Sequence, residues 1–165
     1  MRTDSGGEPA FAEFVSARAD SLLRAAWLLT GDLHKAEDLL QTVLTRLWQR
    51  WDRLDNADAY ARRMLYSTYL TWWRRRWRYE VPTEVLPDVA DGSEMENVAV
   101  LRASVCAGLA QLSKRQRAVV ALRFWEDLSV EATAAVLGCS AGTVKTHTAR
   151  ALAVLRADEV LGGIR

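Results

Sequence analysis

The sequence predicts an all-α chain of two small helical modules joined by a flexible acidic linker. Hydrophobic residues recur at three- and four-residue steps almost throughout, and no stretch alternates with a sustained period of two. Residues 81–100 hold five acidic side chains (Glu84, Asp88, Asp91, Glu94 and Glu96) and no basic one. The flanks are mildly basic, with 13 basic against 11 acidic residues over 1–80 and nine against five over 101–165. A length of 165 residues suits one domain or two small ones.

Each helix can be justified in turn. Phe11, Phe14, Val15, Leu22, Ala26 and Leu29 share one face of a first helix that Thr30-Gly31 ends. Asp32 can cap a second, in which Ala36, Leu39, Leu40, Val43, Leu44, Leu47, Trp48 and Trp51 form the apolar stripe. Asn56 or Asp58 can open a third, running through Tyr60, Leu65, Tyr69 and Trp72 to about Tyr79. The stretch VPTEVLPDVADGS (81–93) has two prolines and a glycine, and reads as linker. Ser93 with Glu96, and again Ser113 with Gln116, are capping-box pairs ahead of apolar runs. Ser129 can cap a short helix over Val130–Leu137, Gly138 suits a left-handed turn, and Ser140 can cap a longer helix. Two helices joined by a three- to four-residue turn containing Gly make a helix-turn-helix.

Composition narrows the function. No run approaches the roughly 18 apolar residues of a membrane span, and the N-terminus has no signal-peptide pattern, so a cytoplasmic protein is expected. Cys106 and Cys139 are too few for a disulfide framework or a Cys-rich zinc cluster, and read as small buried hydrophobes, Cys139 equally as a semi-exposed thiol in the turn. There is no Gly-rich phosphate loop, no His pair with a carboxylate at ligand spacing and no G-x-S-x-G turn. The expectation is therefore no catalytic residues, no metal site and no cofactor.

Two features point to nucleic acid. A recognition helix sets its N-terminal residues against base edges in the major groove. Over Ser140–Arg150, with Val144, Leu152 and Leu155 inward, the candidate contacts are Thr143, Lys145, Thr146, His147 and Arg150. The second is WWRRRWRYE (Trp72–Glu80), which holds three of the seven tryptophans. Aromatics interleaved with Arg can stack on unpaired bases while guanidinium groups hold phosphates. Trp72, Trp73 and Trp77 as core, with the arginines as a solvated face, is the alternative.

These residues resemble the sigma-70 family of bacterial RNA polymerase initiation factors, in its compact extracytoplasmic-function (ECF) class. The chain looks most like the short actinobacterial SigE-like subgroup. The resemblance covers about residues 10–78 and 100–157. It implies a region 2-like module over 10–79, a linker over 80–99 and a region 4-like module over 100–158. GDLHKAEDLLQTVLTRLW (Gly31–Trp48) is similar to the segment that binds the clamp of the polymerase largest subunit, which implies Glu37, Asp38 and Gln41 as polymerase contacts. AYARRMLYSTYLTWWRRRWR (Ala59–Arg78) resembles the part that melts and reads the −10 element, implying Ser67, Tyr69, Trp72, Trp73, Arg74, Arg75 and Arg76. LSKRQRAVVALRFWEDLSVEATAAVLGCSAGTVKTHTARAL (Leu112–Leu152) is similar to the −35-binding region. By that likeness Lys145, Thr146, Ala149 and Arg150 face bases, while Thr143 and His147, with Ser140 at the helix start, lie nearer the backbone.

Two residues depart from the family pattern: Ser67 stands where many relatives have Asn, and His147 where Arg is more usual. The implied partners are core RNA polymerase (clamp and flap), promoter DNA (duplex at −35, single-stranded at −10) and an anti-sigma factor, with nucleoid association and no membrane. A stand-alone helix-turn-helix regulator, or a helical adaptor that blocks polymerase, are the rival readings. Whether the modules pack together is left open; the pairing to look for is the Trp/Arg surface against Ser140–Arg150.

Overall fold

The structure, a computed structural model, describes residues 6–72 and 95–157. Trp73, Arg74, Arg75, Arg76 and the Ser93 cap lie outside the described residues, as does the expected end of the third helix. Seven α-helices are described: α1 (Gly7–Thr30), α2 (Leu33–Arg50), α3 (Ala57–Trp72), α4 (Met95–Ala110), α5 (Lys114–Val120), α6 (Val130–Leu137) and α7 (Ala141–Ala157). A 3₁₀ turn at Trp51–Arg53 follows α2, and a π-helical turn at Ala121–Trp125 follows α5. Helix α4 begins five residues inside the stretch expected as linker. The run Met95-Glu96-Asn97-Val98-Ala99 has no Gly or Pro to oppose a helix.

The caps sit where the sequence places them. Gly31 takes φ 68° and donates its N–H to the Trp27 carbonyl at 2.7 Å, closing α1. Asp32 Oδ1 accepts from Lys35 N (3.1 Å), and Asn56 Oδ1 accepts from Ala59 N (3.0 Å). Ser113 and Gln116 close a reciprocal capping box on α5. Ser129 caps α6, and Gly138 ends it at φ 65°.

The first module is an antiparallel α1–α2 pair crossed by α3. Leu22, Ala25, Ala26, Leu29, Ala36, Leu39, Val43, Leu47, Ala61, Leu65, Tyr66 and Tyr69 form its core. Phe11, Phe14, Trp48 and Trp51 close the far end, with ring centroids 4.9–5.5 Å apart. That core does not end with the module: Ala118, Ala121 and Leu122 of the second module belong to the same cluster, and Leu128, Val136 and Leu137 pack on it. In return, Leu28 of α1 packs on the Leu109, Leu112 and Ala151 cluster of the second module. The modules are therefore packed together. The Trp/Arg stretch beyond Trp72 lies outside the described residues; among those described, α5, the π turn and α6 lie on α1 and α3, while the side of Ser140–Arg150 expected to face bases stays exposed.

The chain leaves this interface by a sharp reversal. Glu126 N bonds the Ala121 carbonyl (2.9 Å) and Leu128 N the Leu122 carbonyl (3.0 Å), with Asp127 between them at φ 54°. Asp tolerates this left-handed conformation better than a branched residue would. The Arg123 guanidinium donates to the Leu128 carbonyl and holds the turn.

Because Leu122 is fully buried in the joint core, Leu122→Ala should cost about 2–5 kcal/mol. Urea unfolding followed by tryptophan fluorescence and far-ultraviolet circular dichroism checks it. One coincident transition, shifted as a whole by the substitution, is expected; two separate transitions would contradict a joint core.

Candidate nucleic-acid interface

Helix α7 presents its candidate residues as one face. Lys145 with Ala149 and Thr146 with Arg150 are i,i+4 pairs, and all four are exposed. Val144 and Ala151 are fully buried on the opposite side. Ser140 Oγ accepts from Thr143 N at 3.1 Å and lies 2.9 Å from Thr143 Oγ1, so both hydroxyls are engaged in capping the helix. Thr146 Oγ1 donates to the Gly142 carbonyl (3.0 Å), leaving its lone pairs to accept from a ligand. His147 is half-buried, and its Nδ1 has no hydrogen-bond partner among the described residues. It sits beside the exposed face rather than on it.

The residues expected to meet polymerase lie together on α2. Glu37, Asp38 and Gln41 are all exposed. Asp38 and Gln41 also line an open pocket of about 390 Å³ with Thr42, Thr45, Arg46, Gln49 and Trp72. Arg46 fixes α2 against α3 by donating to Thr68 Oγ1 at 3.3 Å and to the Met64 sulfur at 3.5 Å. One pocket thus brings the expected polymerase face to the end of the expected −10 helix.

On α3 the expected −10 residues have unlike surroundings. Ser67 is exposed and donates to the Met64 carbonyl (3.4 Å). Trp72 is half-buried. Tyr69 is 0% exposed, and the second module covers it. The Lys114 ammonium lies 5.6 Å from its ring centroid, within cation–π range. Burial pushes the Tyr69 phenol up to about 12, with the nearby Arg117 charge opposing. Tyr66 is raised likewise, by burial first and then by Glu126, with Arg62 opposing.

The sequence reading missed the residues that make this cover. Arg117 Nε donates to the Leu28 carbonyl at the end of α1 (3.2 Å), where the helix dipole favours a cation. Its guanidinium fills the space at Gly31, where an added Cβ would stand 3.3 Å from Nη2. Burial lowers its proton affinity from the ordinary value, partly offset by Tyr69 and Cys106. Arg62 Nε meets Glu126 Oε2 at 3.1 Å, the pair being 22% and 10% exposed. Asp58 extends the row, with Arg62 at 3.8 Å and Arg18 at 2.6 Å. No local motif marks the contacts between the modules, because Arg117 and Leu28 lie 89 positions apart in the chain and Arg62 and Glu126 lie 64 apart.

Comparison with known proteins follows the same division. The Sigma-70 region 2 model matches residues 14–79, and the Sigma-70, region 4 model matches residues 107–155. The RNA polymerase sigma-E factor of Streptomyces avermitilis is 49% identical over 151 residues, spanning 90% of this chain and 84% of that protein. The chain belongs to the sigma-70 family. It is a sigma factor of the ECF class, 31% identical over 173 residues to the ECF RNA polymerase sigma factor SigL of Mycobacterium tuberculosis, with 94% of each chain covered. Its fold resembles the sigma factor RpoE in complex with the anti-sigma factor NepR from Bartonella quintana (TM-score 0.73, 24% identity, 94% of this chain and 99% of that one). CnrH in complex with the cytosolic domain of CnrY is similar too (TM-score 0.65, 24% identity, 93% and 89%). Among the described residues of this sigma factor, no helix is long and apolar enough to cross a membrane, and no group of three or more His, Cys, Asp or Glu could hold a metal ion.

Both tyrosines hold their protons more tightly folded than unfolded. The stability they lend is complete below pH 10 and is lost as pH rises from 10 through about 12. Ultraviolet titration should show ionisation of Tyr66 and Tyr69 delayed beyond pH 10 and coincident with loss of helicity. All tyrosines ionising near pH 10 with the fold intact would contradict the burial.

Proposed function

We propose that this sigma factor binds core RNA polymerase through Glu37, Asp38 and Gln41 on α2 and directs promoter-specific initiation. The Ser140–Arg150 part of α7 enters the −35 major groove. There Lys145 and Arg150 read purine acceptors, Thr146 and Ala149 contact neighbouring bases, and Ser140, Thr143 and His147 face the backbone. Ser67, Tyr69, Trp72, Trp73 and Arg74–Arg76 capture unpaired −10 bases by stacking and phosphate contact. Unstacking costs a few kcal/mol per base, which those contacts offset.

The observation that carries this reading is the exposed, co-facial set Lys145, Thr146, Ala149 and Arg150 on a capped recognition helix. It lies inside the region 4 match of a chain whose region 2 match precedes it. Residues 10–79 and 100–158 act as the two DNA-contacting modules, with 80–99 joining them. The protein works in the cytoplasm on nucleoid DNA, catalyses nothing itself and needs no cofactor. One solved neighbour, RpoE, is in complex with an anti-sigma factor, and an anti-sigma factor is a partner here by that analogy.

The test mixes purified protein with sigma-free core polymerase and genomic DNA fragments and maps RNA 5′ ends. Discrete starts sharing paired upstream motifs, absent without the protein, are expected. Polymerase binding without new starts would instead favour a blocking adaptor, and duplex binding without polymerase binding an ordinary regulator. On a mapped promoter, Lys145→Ala and Arg150→Ala should each weaken holoenzyme binding by about 1–3 kcal/mol. No effect from either would overturn the recognition-helix assignment.

A further inference from the structure

We propose that His147 holds a −35 phosphate as an uncharged donor, through its Nε2–H alone, so that this contact persists as salt rises. This rests on the reading of Ser140–Arg150 as the −35 helix.

The ring's surroundings set its form. His147 is half-buried on α7, with Nδ1 shut off from solvent and without a hydrogen-bond partner among the described residues. The accessible edge of the ring is therefore the one that carries Nε2. A neutral imidazole has one N–H and one bare nitrogen, and its partners decide which is which. A proton on Nδ1 would be a buried donor with no acceptor, the rarer kind of orphan. It would also leave a bare Nε2 to meet a phosphate oxygen, lone pair against lone pair. With the proton on Nε2, the accessible edge donates and the sealed edge stays bare.

The neighbours do not favour a second proton. Helices α4, α5 and α6 pack on α7. Their described charged groups are Lys114, Arg115 and Arg117 on α5 and Glu131 on α6, and the described part of α4 adds only the Cys106 thiol. The one carboxylate, Glu131, is exposed, and Arg117 is engaged by the Leu28 carbonyl. On α7 itself Lys145 and Arg150 stand two positions before and three after His147, so a charged ring would add a third cation to that surface. A phosphate favours a cation, but it acts at Nε2, which already carries its proton. The second proton would have to enter at the sealed Nδ1.

Position and charge state together define the contact. His147 lies four residues after Thr143, which puts both on the edge of α7 beside the base-facing set. In a groove-bound helix that edge lies along the sugar–phosphate strand. A cation that meets a phosphate releases a counterion and steepens the log–log salt dependence by about 0.9. An uncharged N–H donates to the same oxygen and releases none. His147 thus fixes the helix on the backbone without adding to the salt sensitivity that Lys145 and Arg150 bring.

The experiment measures the affinity of the holoenzyme for a mapped promoter fragment from about 0.05 to 0.2 M potassium chloride. Wild type is compared with His147→Phe, His147→Gln and His147→Arg, and circular dichroism checks helicity. Phe keeps a ring in the half-buried site and removes the N–H. It should weaken binding about fivefold at every salt concentration, with the slope unchanged. Should Phe lose helicity, His147→Ala takes its place. Gln offers an uncharged N–H at similar reach and should recover most of that loss, while Arg should steepen the slope by about 0.9. Phe binding as tightly as wild type, or Gln as weakly as Phe, would overturn the contact. A slope shallower by about 0.9 for Phe would mean a charged histidine and overturn the uncharged form. Failure of the −35 reading itself would show separately, as Lys145→Ala and Arg150→Ala without effect.

Discussion

The arrangement depends on one constraint: the first module's core is completed by the second module's α5 and the π turn that follows it. Ala118 and Ala121 are small enough to let α5 approach α1 and α3 closely, and Leu122 fills the remaining space. Arg117 then reaches the carboxyl end of α1, where carbonyls left without helical partners accept from it. The rest of region 4 follows from that placement. The π turn and the left-handed Asp127 aim α6 across α3, and α7, packed behind α5 and α6, turns its polar face outward.

This constraint gives one surface two uses. Tyr69 serves as core when the modules are docked and as a stacking platform in the proposed −10 complex. An aromatic phenol suits both, since its ring packs against apolar neighbours and its face attracts cations and bases alike. The polar contacts across the interface are correspondingly moderate. Among the described ion pairs, the one between Arg62 and Glu126 crosses between the modules and is largely shielded from solvent, while Asp58 and Arg18 extend the row on the first module where solvent reaches it. Shielded pairs gain little net stability, because losing water offsets their attraction. They fix register more than they add stability, so the apolar core sets the closed state's lifetime.

Local chemistry made much of the fold legible in the sequence. Gly31, Asp32, Asn56, the Ser113–Gln116 pair, Ser129, Gly138 and Ser140 each mark a helix end by a mechanism confined to a few residues. The helix-turn-helix and its outward face could be read the same way, because a period of 3.6 separates Val144 and Ala151 from Lys145 and Arg150. What could not be read was the docking. Arg117 and Leu28 are 89 residues apart in the chain, and Arg62 and Glu126 are 64 apart. In sequence, Ala118 and Ala121 look like any helix interior. Small apolar residues make much of the interface, and no charge pattern marks them. The π turn was equally hidden, since its bonds depend on the reversal that follows it.

On this account the modules are docked in the free chain and separate on the promoter. A direct measurement is the energy-transfer distance between dyes on cysteines placed at the exposed positions Asp20 of α1 and Ala153 of α7, with Cys106 and Cys139 replaced by Ser. High transfer in the free protein that collapses when polymerase and promoter DNA are added together is the predicted result. Low transfer in the free protein, or high transfer that persists in the transcribing complex, would contradict it.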